Sequence, residues 1–147
     1  MSKQYLLWLE NYLKERYKKT NIENFIGLEV VEIAEGKIIY RIKILDKHLN
    51  MYGFVHGGVL SAIIDTAMGF ACISMEKRVV TVDISISYIK NVPQGSTITA
   101  IGQVISNGRT IMRAVGEIYD EQQHLLIMAQ GSYYITGRFC EDDPPEL

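Results

Sequence analysis

The sequence predicts an α+β domain in which one long antiparallel sheet curls around one buried helix, and three observations carry that prediction. From Val59 to Ala71 apolar residues cover almost the whole helical wheel, so this helix must be wrapped on most sides. From Val80 to Tyr88 apolar residues alternate with Thr81, Asp83, Ser85 and Ser87, the period of a strand. Three more strand-like runs follow, with Asn107-Gly108 between the first two as a strong hairpin signal. A chain of 147 residues has room for one such core. One sheet around one helix is the economical way to cover it.

The elements follow in order. Residues from Ser2 to about Lys19 read as a helix, because Tyr5, Trp8, Leu9, Tyr12, Leu13 and Tyr17 recur at three- and four-residue spacing. That stripe packs on the domain or on a neighbouring subunit; the mixed charges opposite it argue against a membrane surface. Two strands come next, Gly27 to Ile33 and Lys37 to Leu45, separated by Glu35-Gly36. A polar stretch from Asp46 to Gly53 leads into the buried helix, and the strand pattern takes over after Lys77-Arg78. The remaining strands are Thr97 to Ser106, Thr110 to Tyr119 and Leu125 to Thr136, the last two joined by a polar turn from Asp120 to His124. The tail, Glu141 to Leu147, holds four acids and Pro144-Pro145 and is expected to be disordered. The chain therefore divides into a helical extension (1–24), one domain (25–138) and an acidic tail (139–147).

Composition excludes several functions. Fifteen basic against seventeen acidic side chains give a formal charge of −2, so no global field draws the protein to nucleic acid. Two cysteines, Cys72 and Cys140, are too few for a disulfide framework and read as reduced thiols of a cytoplasmic protein. The apolar patch before Glu10 is too short for a signal-peptide core. The longest apolar stretch, Val59 to Met75, carries Asp65 in its middle, so no membrane span is expected. Nothing has the close His/Cys spacing of zinc ligands, so no metal is expected. His48 and His124 fall in turns and are expected to be solvated.

Asp65 is the most informative residue. An ionised carboxylate on an apolar buried helix costs several kcal/mol unless it is paired. Either it is a structural acid bonded to a strand hydroxyl or an amide, or it is a base or nucleophile. Gly58, Ser61, Ala62, Asp65, Gly69 and Cys72 share one stripe of the wheel, all small except the acid, which lets a backbone or a thin substrate approach. At the helix start, His56-Gly57-Gly58 offers two unobstructed N–H groups at a positive helix end, able to stabilise an oxyanion. Gly57 and Asp65 are eight residues apart, which is ~12 Å along the axis and ~80° around it. One small carbonyl cannot touch both on the same chain. If both serve one reaction, the acid comes from a second copy, and a two-fold dimer holds two composite sites.

Asn50, the run Gly53 to Gly58 (GFVHGG), Asp65, Gly69, Thr81-Val82-Asp83-Ile84 and Tyr88 together resemble the hotdog-fold acyl-CoA thioesterases. The nearest branch is that of PaaI and thioesterase superfamily member 2, in the 4-hydroxybenzoyl-CoA thioesterase superfamily. The resemblance runs from about Phe25 to Gly137. It implies a hotdog fold, a homodimer and often a homotetramer built as a dimer of dimers. By position, it implies that the Gly57 N–H polarises the thioester carbonyl and that Asn50 and His56 shape that side of the site. It also implies that Asp65 of the partner attacks or deprotonates water, and that Thr81 orients the water. His56 also fits as a helix cap bonded to Asn50, and Thr81 as one more polar residue of its strand.

Coenzyme A, as part of the substrate, needs cations; Gly58, Lys90, Arg109 and Arg113 are the candidate contacts, with Lys77 and Arg78 as further candidates. No other cofactor is expected. The rival reading is a non-catalytic acyl-CoA binder or sensor, which has no use for Asp65. A hydratase on the same fold would need an Asp–His pair that the sequence lacks. Met68, Phe70, Ile73, Met75 and Phe54 are pocket walls or core, and the sequence leaves the acyl group open.

Overall fold

The computed structural model describes residues 3–139. Helix α1 (Lys3–Arg16) and the short α2 (Asn21–Ile26) precede strands β1 (Glu29–Ala34) and β2 (Lys37–Lys43). A 3-10 turn (Asp46–His48) leads to α3 (Gly57–Ile73). Strands β3 (Lys77–Tyr88), β4 (Thr97–Asn107), β5 (Ile111–Tyr119) and β6 (Leu125–Arg138) complete the fold. The strands pair antiparallel in the order β1-β2-β4-β5-β6-β3.

The sheet can close on α3 because its middle is stripped of side chains. Gly102 of β4 lies opposite Gly116 of β5. A Cβ on Gly102 would fall 2.1 Å from the Ala67 carbonyl oxygen, and one on Gly116 would fall 2.5 Å from Ile64 Cδ1. A side chain at Gly102 would drive the helix off the sheet, and one at Gly116 would displace the Ile64 side chain. Around this seam Ile38, Tyr40, Ile98, Ala100, Met112 and Ala114 face Leu60, Ile63, Ile64, Ala67 and Met68, all buried. Met68 and Ile73 are therefore core rather than pocket wall, whereas Phe54 is exposed.

Helix α1 belongs to this same core. Tyr5, Leu9 and Leu13 are buried, and the Tyr5 hydroxyl donates to the Ile73 carbonyl oxygen at 2.8 Å. Phe139, counted with the tail from sequence, instead packs against Trp8 and Tyr12. The acidic tail beyond it and Cys140 lie outside the described residues. Cys72 is buried and free of any disulfide.

Several local expectations are corrected. The first helix ends at Arg16 rather than Lys19, and α2 was not foreseen. Gly27, assigned to a strand, is the left-handed cap of α2 at φ 78°, a conformation that costs glycine little. Asn107-Gly108 does mark a hairpin, but neither residue has a positive φ. Glycine is needed there because a Cβ at Gly108 would lie 2.3 Å from the Ile111 carbonyl oxygen. His48 is not solvated: it is 1% exposed, accepts the Leu45 N–H at Nδ1 (3.0 Å) and donates from Nε2 to the Phe25 carbonyl oxygen (2.7 Å). It pins the loop before α3 to the end of α2. His124 is exposed beside Asp120.

Candidate active site

The start of α3 is fixed by the loop that precedes it. Asn50 Oδ1 accepts the N–H groups of Tyr52 (2.9 Å) and Phe54 (3.2 Å), and the His56 N–H donates to the His48 carbonyl oxygen (2.8 Å). His56 is then the N-cap, its Nδ1 accepting the Gly58 N–H at 2.8 Å. The next two N–H groups, of Val59 and Leu60, reach the His56 carbonyl oxygen at 2.9 and 3.2 Å.

Of the four N–H groups that a helix start leaves unpaired, three are thus taken. Only the Gly57 N–H has no acceptor among the described residues. This corrects the expectation of two open donors: Gly58 does not offer its N–H, because the cap holds it. A Cβ on Gly58 would lie 2.9 Å from that Nδ1, so the cap itself demands glycine. Nor does His56 bond Asn50, whose Oδ1 is spent on its own turn.

Gly57 borders a cavity of about 480 Å³ that Asn50, Leu60, Tyr88, Lys90 and Val92 also line. Tyr88, at the end of β3, closes one side. Its hydroxyl lies 2.5 Å from Ser61 Oγ and 3.1 Å from the Gly57 carbonyl oxygen, which Ser61 Oγ also bonds at 2.9 Å. The first turn of α3 and the end of β3 therefore move as one piece.

Two turns along α3, Asp65 is half-buried rather than enclosed. Its Oδ1 accepts from Thr81 Oγ1 and from the Tyr133 hydroxyl, both at 2.9 Å, while Oδ2 has no partner among the described residues. Thr81 and Tyr133 are register partners on β3 and β6, beside a bulge at Val82. The bulge lets both side chains reach the helix. Burial, then the charge of Asp65, pushes the Tyr133 phenol far above its ordinary range. Tyr133 is the member of the site that the sequence did not reveal. Its position in a strand, between Ser132 and Tyr134, looks the same as that of any core tyrosine.

The candidate cations do not converge within one chain. Lys90 borders the cavity, with Nζ 3.4 Å from His124 Nδ1. Arg109 is exposed in the β4–β5 turn, at the end of the sheet where β3 begins rather than where it finishes. Arg113 is exposed beside it and donates to Ser132 Oγ at 3.1 Å. Arg78 donates to Thr136 Oγ1 at 3.4 Å.

With this geometry in view, the model of the thioesterase superfamily matches residues 52–127, from the loop before α3 into β6. The chain belongs to the thioesterase superfamily. It is 28% identical over 128 residues to human acyl-coenzyme A thioesterase 13, covering 85% of this chain and 91% of the relative. Among solved structures it is similar to smu.793 from Streptococcus mutans bound to acetyl CoA. That match has a TM-score of 0.74 and 29% identity, over 76% of this chain and 90% of the other. The PaaI protein of Escherichia coli superposes with a TM-score of 0.82 at 24% identity, over 89% and 94% of the two chains. The fold of this thioesterase-superfamily chain is the hotdog that its sequence resembles. Among the described residues no helix is long and apolar enough to cross a membrane.

Proposed function

We propose that the chain hydrolyses acyl-CoA thioesters to a carboxylic acid and free CoA, at composite sites built by two copies. The observation that carries this reading is the single uncommitted N–H, that of Gly57, at the positive end of a 17-residue helix that also carries a held carboxylate. The names of the human relative and the CoA-bound streptococcal structure support the substrate class.

The Gly57 N–H and the helix dipole polarise the thioester carbonyl and take the charge of the tetrahedral intermediate. The partner subunit's Asp65 uses Oδ2 either to deprotonate a water or to attack the carbonyl itself, expelling the CoA thiolate and forming a mixed anhydride that water then hydrolyses. With water as the attacking group, the carbonyl carbon gains a C–O bond and loses the C–S bond. The proton taken by the carboxylate returns to the CoA thiolate. Thr81, bonded to Asp65, stands where it can orient that water. Asn50 holds the loop against the carbonyl side, and Lys90 neutralises a phosphate at the cavity mouth; Arg109 and Arg113 reach CoA only if the second copy brings them.

The two copies pair through β3, which has one strand neighbour and leaves Val80, Val82 and Tyr88 exposed. A bare, long, apolar edge is a pairing surface. Such a pair doubles into a homotetramer through the outer face of the sheet, where Ile111, Met128 and Tyr134 are exposed. The protein works in the cytoplasm, in keeping with its free buried thiol.

The test is free-thiol release from a panel of acyl- and aryl-CoA esters. Asp65→Asn is expected to lower kcat by about 10²–10⁴-fold with the dimer intact by sedimentation. CoA binding without thiol release would mark a binder and overturn the proposal.

A further inference from the structure

Two hydroxyls converge on Asp65 Oδ1, and they are not equivalent. Thr81 stands on the exposed edge strand, where solvent can replace its hydroxyl. Tyr133 is 1% exposed, and its ring fills a fitted slot. A Cβ on Gly131 would lie 3.0 Å from the ring's Cε2 and 3.3 Å from its hydroxyl, and one on Gly69 would touch Cε1 at 3.6 Å. The Tyr133 ring is held by the fold, whereas the Thr81 side chain is open to solvent.

The same hydroxyl also lies 3.3 Å from the backbone carbonyl oxygen of Asp65. A phenol has one proton, and the shorter, charge-assisted bond to the carboxylate takes it. Burial and the Asp65 charge keep the phenol protonated, so it remains a donor. The phenol therefore faces both the side chain and the backbone of one residue, which fixes the side-chain torsions of Asp65 relative to its helix.

We propose that Tyr133 is the positioning residue of the reaction, pinning Oδ1 of Asp65 so that the unpartnered Oδ2 is the oxygen presented to the substrate. The inference rests on the reading of Asp65 as base or nucleophile. Tyr133 touches neither substrate nor water; it acts through the carboxylate. A carboxylate free to swing would spend most of its time off the reaction path, and positioning is worth a large share of such a rate.

Tyr133→Phe removes the hydroxyl and leaves the ring in its slot. The expected result is a kcat about tenfold lower, with KM for the CoA ester and the melting temperature nearly unchanged. In an Asp65→Asn background the same change has no further effect, the mark of a residue that acts through Asp65. An equal loss of rate in both backgrounds, a parental kcat in Tyr133→Phe, or a rise in KM that accounts for the loss overturns the proposal. A parental rate in Asp65→Asn alone overturns the reading of Asp65 instead. Where that background is too slow to measure, the split between kcat and KM in Tyr133→Phe decides.

Discussion

The two ends of α3 are finished in opposite ways. At the C-terminal end every one of the last four carbonyl groups is paired. Phe70 accepts from the Ser74 N–H, Ala71 from Ser74 Oγ, Cys72 from the Met75 N–H, and Ile73 from both the Glu76 N–H and the Tyr5 hydroxyl. Ser74 Oγ in turn accepts the Gly36 N–H at 2.8 Å, so the end is tied to the β1–β2 turn. Stacked Trp8 and Tyr12 and the buried Tyr17–Tyr40 hydroxyl pair then cover this side. At the N-terminal end three donors are paired and one has no acceptor among the described residues, and its residue borders a cavity. A helix end with a free donor is costly only where water or substrate cannot reach it. The closed end supplies stability and the open end keeps one donor available for a ligand.

The largest effect that tests this division comes from Gly57→Pro. Proline is best tolerated at the first position of a helix, and it removes only the N–H. His56 already has φ −62° and ψ 133°, the extended conformation that a following proline requires. A Cβ at Gly57 would meet Tyr88 at an ordinary 3.6 Å. The variant is expected to melt as the parent does and to lose about 10²–10³-fold in kcat. Parental turnover would show that the free donor is not the oxyanion contact.

Leu9→Ala tests the closed end. Leu9 is fully buried on α1, and such a truncation costs about 3 kcal/mol with the cavity it leaves. Denaturant melts are expected to show that loss, with kcat of the folded enzyme unchanged. A fall in kcat would mean that the two ends are coupled.

The division also explains what the sequence could and could not reveal. The wrapped helix, the strand from Val80 to Tyr88 and the Gly57–Asp65 spacing were legible, because they show as period and spacing along the chain, whereas the place of that strand at the sheet edge was not. The occupancy of the Gly58 N–H was not, since it depends on which way the His56 ring turns. Tyr133 was hidden for a related reason: it lies 68 residues from Asp65 in the chain, and only the register of β6 against β3 brings them together. Helix α2 is too short for its periodicity to stand out, though Thr20 before it and Gly27 after it are ordinary helix-boundary residues.

A smaller effect comes from the Tyr17–Tyr40 pair, whose hydroxyls are 2.6 Å apart. Changing either tyrosine to Phe strands the other hydroxyl and is expected to cost about 1–3 kcal/mol, while changing both is nearly neutral. Burial raises both phenols above their ordinary range in the folded state. Their contribution is therefore complete below the unfolded value of about pH 10 and declines as pH rises through it, because the unfolded chain then releases protons that the native one keeps. The double variant is expected to flatten that alkaline decline. A decline equally steep in the double variant would assign it to other groups.

The smallest signal is that of Cys72, in the last turn of α3. Burial pushes its thiol up to about 12, so the folded protein holds it as an unreactive thiol. In a Cys140→Ser variant at pH 8, labelling by a disulfide reagent should proceed only through unfolding and so report the unfolded fraction. Leu9→Ala is then expected to accelerate labelling by the factor its denaturant melt gives, whereas Gly57→Pro leaves the rate alone. Faster labelling in Gly57→Pro would mean that the closed end loosens when the open end is altered, and the two ends of α3 could no longer be treated as separate.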